Sequence, residues 1–366
     1  MEIGIHAAAL VRPQQRIGGV ERYVHELLRA LFSLRDAQRH SFTLFAPEEP
    51  TADFAGMPNV AIRLVPAGIS FTQLGLSKEF VRTKLDSFFV PAHILPRVLP
   101  GKTTVTVHGL EYEHAPWAYP RHQRLWLRFM TKDAVRRAAT VIAVSQATRQ
   151  DLLDRYRVPE QKIVVIPHGV RLSDGICATS DEIPLRERPY FLYFGRLEAK
   201  KNIEGIVRAF TTFKTLTRFP HKLFLAGTLG FGAGRIAQAI RQSPARKDIV
   251  CFGYIPEVAR TELLRRADAF LFPSWAEGFG LPILEAQVQS VPVITSNTTA
   301  MPEVAGKAAL FVDPADSEML AQAMRKVVED EKLRKNLIAQ GLENVKRFSW
   351  EKAARETLRV LVADLE

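Results

Sequence analysis

Residues 269–287 have the sequence AFLFPSWAEGFGLPILEAQ, in which a short apolar run leads into a loop and then into a helix-like segment. Gly278 and Gly280 allow the loop backbone conformations that are closed to other residues. Pro282 suits the first turn of a helix, where its missing N–H costs nothing. The stretch therefore predicts a buried strand, a tight loop and a helix, which is the repeating unit of an α/β sheet.

The same alternation continues along the whole chain. Strand-like runs occur in the first half as SFTLFA, TTVTVHGL, TVIAVS and KIVVIPHGV, and in the second half as YFLYFGRL, HKLFLAG, IVCFGYI, AFLFPS and VPVITSN. Apolar runs that alternate with helices are typical of parallel sheets buried on both faces. The predicted fold class is therefore α/β, with two Rossmann-like, doubly wound parallel-sheet domains. Such sheets bind ligands beyond the carboxyl ends of their strands, so we expect the ligand in an interdomain cleft.

A polar segment without a strong period, RLSDGICATSDEIPLRERP, separates the two sets of strands. We predict a first domain over residues 1–172, a linker over 173–188 and a second domain over 189–348.

Composition limits the class of protein. The 366 residues are 47% apolar and 24% charged and include only two cysteines, Cys177 and Cys251, which argues against a disulfide scaffold. The amino terminus, MEIGIHAAALV, lacks the basic start of a signal peptide and reads better as a strand. No apolar run approaches the 18 residues that a membrane span needs. We therefore expect a cytoplasmic protein.

The formal net charge of +11 is unevenly spread. Residues 1–172 hold 23 Lys and Arg against 15 Asp and Glu, whereas the remainder holds 27 against 24. A basic first half indicates an anionic partner, such as nucleic acid, a phosphate-bearing substrate or an acidic lipid surface.

Two glutamates bracket the predicted helix start. The free N–H groups around Phe279 to Leu281 form a partial positive charge that suits a phosphate. Glu277 and Glu285 lie on either side, where one carboxylate could accept hydrogen bonds from a sugar and the other from a ribose. The alternative is that Glu285 only complements the helix dipole and that Glu277 is solvated.

A second candidate contact lies in YFLYFGRLEAKKN, where Gly195 and Arg196 follow a strand and Lys200, Lys201 and Asn202 come next. Arginine and lysine at the carboxyl end of a strand can contact a diphosphate. A basic loop taken alone is usually a solvated surface, but this loop is predicted at the same sheet edge as the helix start.

Together these residues resemble the retaining glycosyltransferases of the family-4 class (group 1), which have the GT-B fold. Their signature is a GR-L-x-x-x-K-[GN] loop followed by E-G-F-G-x-x-x-x-E, and this chain has GRLEAKKN and EGFGLPILE in that order. Segments such as IGGVERYVHEL, VIPHGV and MPEVAGKAALFVDPAD fit as well, so the resemblance covers nearly the whole chain. It also implies that residues 349–366 form a closing helix that returns towards the first domain.

The resemblance implies a role for each matching residue. Arg196 and Lys201 would hold the donor diphosphate, Glu277 the transferred sugar and Glu285 the donor ribose, and His108 would lie next to the reacting sugar. The nucleotide-sugar contacts it implies are Gly18, Gly19, Gly195, Gly227, Tyr254, Ile255, Gly278, Phe279, Gly280, Leu281 and Glu285. Many relatives read His-Asp where this chain has His108 and Gly109, which leaves a structural role for His108 as the alternative.

The donor is predicted from a softer resemblance. The segment FFVPAHILPRVLPGKTTVTVHGLEYEHAPWAYP looks like the mannosyltransferases of bacterial O-antigen and exopolysaccharide assembly. It implies transfer of mannose from GDP-mannose to a glycan or lipid-linked saccharide, while UDP-sugars and dTDP-rhamnose stay open as donors. A nucleotide-sugar epimerase of the same fold and a non-catalytic paralogue that binds nucleotide-sugar are two rival classes.

No cofactor is predicted. The sequence has no Asp-x-Asp, and its His and Cys residues lack the spacing of metal ligands. The glycine cluster in LAGTLGFGAGRIAQAI does not have the G-x-G-x-x-G spacing of a dinucleotide site. Metal independence also fits the resemblance, since arginine and lysine would then stabilise the diphosphate.

A basic segment, PRHQRLWLRFMTKDAVRRA, contains Arg121, Arg124, Arg128, Lys132 and Arg136. On a helix these five side chains fall within about a third of the circumference, with Trp126, Leu127, Phe129 and Met130 mainly opposite. One interpretation is an ordinary amphipathic helix whose apolar face lies in the core. The other is a docking face for an anionic membrane surface or a pyrophosphate-linked lipid. We expect no nucleic acid partner, because no aromatic stacking platform accompanies the charge.

Overall fold

The computed structural model describes residues 1–11, 18–50, 54, 56–66, 70–171 and 189–363. The chain divides into two compact units. Unit 1 comprises Met1–Leu110, His122–Gly169 and Phe348–Glu366, and unit 2 comprises Glu111–Arg121 and Val170–Arg347. The predicted linker, residues 173–188, lies outside the described residues.

The helices have the following bounds. They are α1 (Gly19–Phe32), α2 (Leu76–Phe80), α3 (Glu111–His114), α4 (Arg121–Arg137), α5 (Gln146–Tyr156), α6 (Ile203–Leu216), α7 (Ala233–Gln242), α8 (Glu257–Arg265), α9 (Leu281–Val288), α10 (Met301–Ala305), α11 (Ser317–Glu329), α12 (Glu331–Asn344) and α13 (Trp350–Val362).

Unit 1 contains a parallel sheet with the strand order β3-β2-β1-β4-β5-β6-β7. Its strands are β1 (Glu2–His6), β2 (Ser41–Ala46), β3 (Val60–Leu64), β4 (Ser87–Val90), β5 (Lys102–Val107), β6 (Thr140–Ala143) and β7 (Ile163–Val165). Every residue of β4 is buried, as expected for a central strand covered on both faces. The strand order reverses between β1 and β4, which is the position where such sheets bind ligands.

Unit 2 contains a second parallel sheet with the order β10-β9-β8-β11-β12-β13. Its strands are β8 (Tyr190–Phe194), β9 (Lys222–Ala226), β10 (Ile249–Cys251), β11 (Ala269–Phe272), β12 (Val293–Ser296) and β13 (Ala309–Val312). All residues of β8 and β11 are buried. The order reverses between these two strands, so the loops that follow them meet at the carboxyl edge of the sheet.

The predicted α/β class with two doubly wound parallel sheets is confirmed, and the strand predicted at the amino terminus is β1. Three strands were missed: β3, β4 and β13, the last of which has only four residues. Strand β3 is mostly exposed, so it lacks a continuous apolar run, and β4 has only four residues. Both acquire their strand conformation by pairing with longer neighbours.

Two segments belong to a different unit from the residues that precede them in the chain. Helix α13 belongs to unit 1 and packs along α1 through buried residues that include Ala354 and Leu361. The segment Glu111–Arg121 belongs to unit 2. The predicted first domain, residues 1–172, had included this segment, because the sequence pattern shows no break there. Within the described ranges, no helix combines the length and the apolar character needed to cross a bilayer.

Candidate functional site

The candidate site lies in unit 2, where the loops after β8 and β11 begin. The two strands are hydrogen-bonded neighbours, with Phe191 opposite Ala269 and Leu192 opposite Phe270. Both sequence motifs therefore start at the same sheet edge. This confirms that the two candidate contacts lie in one sheet and on one side of it.

Lys201 and Glu277 form an ion pair across this edge. The Lys201 Nζ lies 2.5 Å from the Glu277 Oε1, and the two side chains are only 16% and 9% exposed. The ammonium also lies 5.3 Å from the centre of the Phe272 ring. Glu277 is therefore not a solvated carboxylate. It is held against the loop that follows β8.

Hydroxyl groups at and after the end of β12 fix the loop that carries Glu277. Thr295 donates to the Phe272 carbonyl (2.8 Å), Ser296 to the Ser274 carbonyl (2.6 Å) and Thr298 to the Trp275 carbonyl (3.1 Å). The backbone N–H of Glu277 itself donates to the Thr299 hydroxyl at 3.0 Å. We call these four hydrogen bonds the hydroxyl ladder. This hydroxyl ladder was not predicted from the sequence. Its signal is the run TSNTT at residues 295–299, which begins within the last two residues of β12.

Helix α9 begins as the sequence predicted. Gly280 is its N-cap residue, with φ at +105°, in the left-handed region that favours glycine. Pro282 lies in the first turn. Glu285 is one turn further along the helix, where its Oε1 lies 3.6 Å from the guanidinium of Arg260 on α8. That guanidinium also stacks over the Phe194 ring at 5.1 Å, so Glu285 is anchored beside the end of β8.

The loops after β8, β9 and β10 approach one another at glycine residues. A Cβ atom on Gly227 would lie 1.8 Å from the Gly195 carbonyl oxygen, and the φ of Gly227 is +147°. The Gly227 N–H donates to the Gly253 carbonyl at 2.6 Å. Gly227 therefore allows two backbone segments to approach closely, and its predicted contact with the nucleotide-sugar stays a prediction. Beyond it Tyr254 is half-exposed and Ile255 partly buried.

Arg196 and Lys200 have different surroundings. The Arg196 side chain is 65% exposed, and its Nε lies 3.9 Å from Glu198. Lys200 is partly buried, and its Nζ lies 3.7 Å from Glu198 and 5.6 Å from the centre of the Tyr119 ring. Burial lowers the pKa of Lys200, but the nearby acidic groups, Glu111 foremost, outweigh it and raise the pKa above its ordinary value. Lys200 thus stays charged beside the site.

The segment Glu111–Arg121 contacts both site loops. The Glu111 carboxylate accepts a hydrogen bond from the Gly278 N–H at 3.3 Å. Ala115 and Ala118 pack against Ala199, with Trp275 at the edge of the cluster. No sequence signal pointed to these contacts, because they join residues about 80 and 170 positions apart.

His108 lies in unit 1, in an aromatic cluster with Tyr23, His168 and Trp350. Its ring centre is 4.7 Å from that of Tyr23 and 5.5 Å from that of His168, and His168 stacks on Trp350 at 5.9 Å. The His108 Nε2–H donates to the Pro91 carbonyl at 2.9 Å, because a carbonyl oxygen can only accept. These contacts support the structural role, and the predicted contact with a sugar stays a prediction.

The predicted glycine contacts in unit 1 lie at the start of α1. Gly18 is the N-cap residue, its N–H donates to the Glu21 carboxylate at 3.1 Å, and Gly19 is the first helical residue. Both are exposed, and their contact with a phosphate stays a prediction.

The exposure of the apolar residues of helix α4 differs from what the sequence predicted. Met130 is buried, but Trp126 and Phe129 are 49% and 69% exposed, and Leu125 is 60% exposed. On a helix, residues 125 and 129 share the side that carries Lys132 and Arg136. The apolar and basic side chains are therefore interleaved on one exposed face. Met130, Thr131, Ala134 and Val135 form the buried face of α4, so the helix does have a side in the core, but Trp126 and Phe129 do not belong to it.

We predict that the stability of the folded chain depends on pH through His108. Burial lowers its pKa from the ordinary 6.5 to about 4, although the Pro91 hydrogen bond opposes the shift. Between these pH values the unfolded chain binds more protons, so stability is lost as the pH falls from 6.5 to 4. His108→Gln keeps a donor for Pro91 and removes the titration, so the slope should fall by up to about 1.4 kcal/mol per pH unit.

Urea unfolding at pH 7.5, 6.0 and 5.0 measures this slope. His122→Gln, at an exposed position of α4, is the control and should keep the wild-type slope. An unaltered slope in His108→Gln would contradict the prediction.

We also predict that the Thr299 hydroxyl stabilises the Glu277 loop. Thr299→Val leaves the Glu277 N–H without its acceptor and should lower the free energy of unfolding by about 1–3 kcal/mol. Thr299→Ser keeps the hydroxyl and should restore most of it. Urea denaturation measures both, with Thr215→Val on the exposed side of α6 as a control expected within about 0.5 kcal/mol of wild type. Equal losses for Val and Ser at position 299 would show that the hydroxyl has no such role.

Known protein families match both halves of the chain. Residues 17–174 match the family model described as Glycosyltransferase Family 4, and residues 179–344 match the one described as Glycosyl transferases group 1. The chain is 29% identical over 282 residues to O-antigen chain mannosyltransferase B of Escherichia coli, covering 73% of this chain and 72% of the relative. It is 30% identical over 240 residues to O-antigen chain mannosyltransferase RfbU of Salmonella typhimurium, covering 64% and 63%.

A solved structure shows the same fold. Anabaena HepE, in complex with UDP and glucose, superposes with a TM-score of 0.75 over 99% of both chains at 16% identity. This confirms the predicted GT-B fold class. The two family models together span most of the chain, and the chain belongs to the group 1 glycosyltransferases of family 4.

Proposed function

We propose that this glycosyltransferase transfers mannose from GDP-mannose, with retention at the anomeric carbon, to a glycan or lipid-linked saccharide of a bacterial surface polysaccharide. The observation that carries the proposal is the nearly buried Lys201–Glu277 ion pair at the point where the strand order of unit 2 reverses. It joins a cation suited to a diphosphate and a carboxylate suited to sugar hydroxyls.

The reaction assigns a task to each residue of the site. The bond between C1 of the sugar and the phosphate oxygen breaks, and a bond from C1 to the acceptor oxygen forms on the same face. Arg196 and Lys201 stabilise the negative charge that develops on the leaving diphosphate. The acceptor proton passes to the departing phosphate oxygen, so the reaction needs no separate basic side chain. Glu277 accepts hydrogen bonds from sugar hydroxyls and Glu285 from the ribose.

The donor and the pathway rest on the relatives. Two curated proteins with substantial identity are described as O-antigen chain mannosyltransferases, which supports mannose and surface polysaccharide synthesis. The competing hypotheses are a UDP- or dTDP-sugar donor and a non-catalytic paralogue that only binds nucleotide-sugar. Intact Arg196, Lys201 and Glu277 favour an active enzyme.

We also propose that transfer needs no divalent cation. Arg196 is 65% exposed in the same loop as Lys201, so its guanidinium is available to a diphosphate. An arginine and a lysine together can neutralise the charge that a metal ion would otherwise neutralise.

A donor panel tests the function. Wild-type protein should release nucleotide from GDP-mannose but not from UDP-, dTDP- or ADP-sugars, and an excess of EDTA should leave the rate unchanged. Removing a group that stabilises the departing diphosphate or holds the sugar should cost about 100-fold or more, so Lys201→Ala and Glu277→Ala should both lose release. Lys335→Ala, at an exposed lysine of α12, is the control.

Release from a different donor would replace GDP-mannose while keeping the reaction class. Binding of a nucleotide-sugar without release, even with lipid-linked and simple glycoside acceptors, would establish the non-catalytic hypothesis. Loss of activity with EDTA would contradict metal independence.

We propose that α4 docks on an anionic membrane surface, where a lipid-linked acceptor would lie. Leu125, Trp126 and Phe129 are exposed on α4 among basic side chains. The exposed basic residues of the helix are Arg121, Arg128, Lys132 and Arg136, and Arg124 is partly buried. An apolar surface interleaved with lysine and arginine is what binds the boundary between lipid head groups and acyl chains.

Vesicle co-sedimentation tests the docking. The protein should bind vesicles of phosphatidylglycerol and phosphatidylethanolamine but not of phosphatidylcholine alone, and salt should weaken the binding. Leu125→Ser should reduce it on the order of tenfold, because the apolar contact is lost. Leu216→Ser is a matched control, since Leu216 is 52% exposed at the end of α6. Equal effects of the two variants, or equal binding to both vesicles, would contradict the proposal.

A further inference from the structure

The segment Glu111–Arg121 packs against both site loops of unit 2, which follow β8 and β11. Ala115 and Ala118 pack on Ala199 of the loop after β8. Trp117 meets Trp275 of the loop after β11 edge to face, with ring centres 5.2 Å apart. One short segment thus touches the loop that bears Lys201 and the loop that bears Glu277.

Glu111, the first residue of this segment, places a carboxylate next to Glu277. Its Oε1 accepts the hydrogen bond from the N–H of Gly278, the residue that follows Glu277. Two carboxylates therefore flank the same peptide unit, one from each segment. Glu277 is held by Lys201, whereas Glu111 lies beside Lys200.

Lys200 carries the positive charge with which the Glu111 carboxylate interacts electrostatically. The Lys200 backbone carbonyl accepts a hydrogen bond from the Trp275 N–H at 2.9 Å, which fixes the loop. Its ammonium lies against Tyr119 and Glu198, and Glu111 is the foremost of the groups that favour its charged form. The Glu111 carboxylate is held by the Gly278 N–H, so its side chain is oriented before any ligand binds.

A carboxylate in this position still has acceptor capacity. Its two oxygens offer about four lone-pair directions, and the Gly278 N–H takes one of them. Hydroxyl groups of a sugar can donate to the others. A site that holds such an acceptor discriminates against an analogue without the hydroxyl, because the carboxylate is then left without that partner.

We infer that Glu111 is a specificity-determining residue that accepts a hydrogen bond from one hydroxyl of the transferred sugar, opposite the hydroxyl contacts of Glu277. The inference rests on the proposed function and deepens it, since it names a second sugar contact in the same site. The carboxylates of Glu111 and Glu277 thus accept hydrogen bonds from the sugar on either side of the Gly278 peptide.

The test compares monodeoxy donors. The probes are GDP-mannose, or whichever sugar nucleotide of the panel the wild type turns over, and its 3-deoxy, 4-deoxy and 6-deoxy forms. Wild type should lose about tenfold to a hundredfold in kcat/KM at one of these positions because of Glu111. Glu111→Gln and Glu111→Ala should turn over the normal donor more slowly by a similar factor and lose the discrimination at that position alone.

Two measurements separate this role from a structural one. Binding of GDP, or of the nucleotide of the active donor, should be unchanged in Glu111→Gln, because the contact is to the sugar. Discrimination at the position that Glu277 reads should persist. Glu113→Gln, in the same segment, is the matched control and should keep the whole wild-type pattern.

The inference is overturned if Glu111→Gln keeps full discrimination at all three positions, or if it changes nucleotide binding as much as donor turnover. Failure of the proposed function looks different: wild type then turns over no sugar nucleotide of the panel. The two failures are read from separate assays of wild type and variant.

Discussion

The ion pair between Lys201 and Glu277 is the constraint on which the site depends. Both side chains are mostly buried, and a buried charge that loses its partner costs about 3–5 kcal/mol. The loops after β8 and β11 must therefore keep their relative positions. The reversal of strand order brings these two loops together, and the ion pair fixes them there. The two opposite charges lie together at the sheet edge where a charged donor is expected.

Hydrogen bonds between neutral groups define the conformation of the loop that carries Glu277. Thr295, Ser296 and Thr298 donate to consecutive parts of the loop that precedes Glu277, and Thr299 accepts from the Glu277 backbone itself. Such bonds contribute about 1 kcal/mol each, so their effect lies less in stability than in a defined loop conformation. The sugar contact that we propose for Glu277 needs a well-defined loop conformation, because hydrogen bonds weaken steeply when their geometry is poor.

Adjacent lysines in the loop after β8 have separate functions. Lys201 faces Glu277, whereas Lys200 lies against Tyr119 of the segment Glu111–Arg121 and interacts electrostatically with Glu111. The segment follows β5 of unit 1 closely in the chain, yet it packs with unit 2. One short loop thus carries both Lys201, which we propose contacts the donor, and Lys200, which contacts the segment Glu111–Arg121.

The sequence by itself determined the α/β class, the motif positions and the helix start at Pro282, because these follow from local rules of apolar patterning and of glycine and proline conformation. It also determined the family through the spacing of its motifs. Only the tertiary structure decided the partners of Lys200, the contact of Glu111 with Gly278, the hydroxyl ladder and the exposure of Phe129. These depend on which elements lie side by side after folding. Pairing between residues far apart in the chain has no local signature, because the strand order that creates it is a property of the whole sheet.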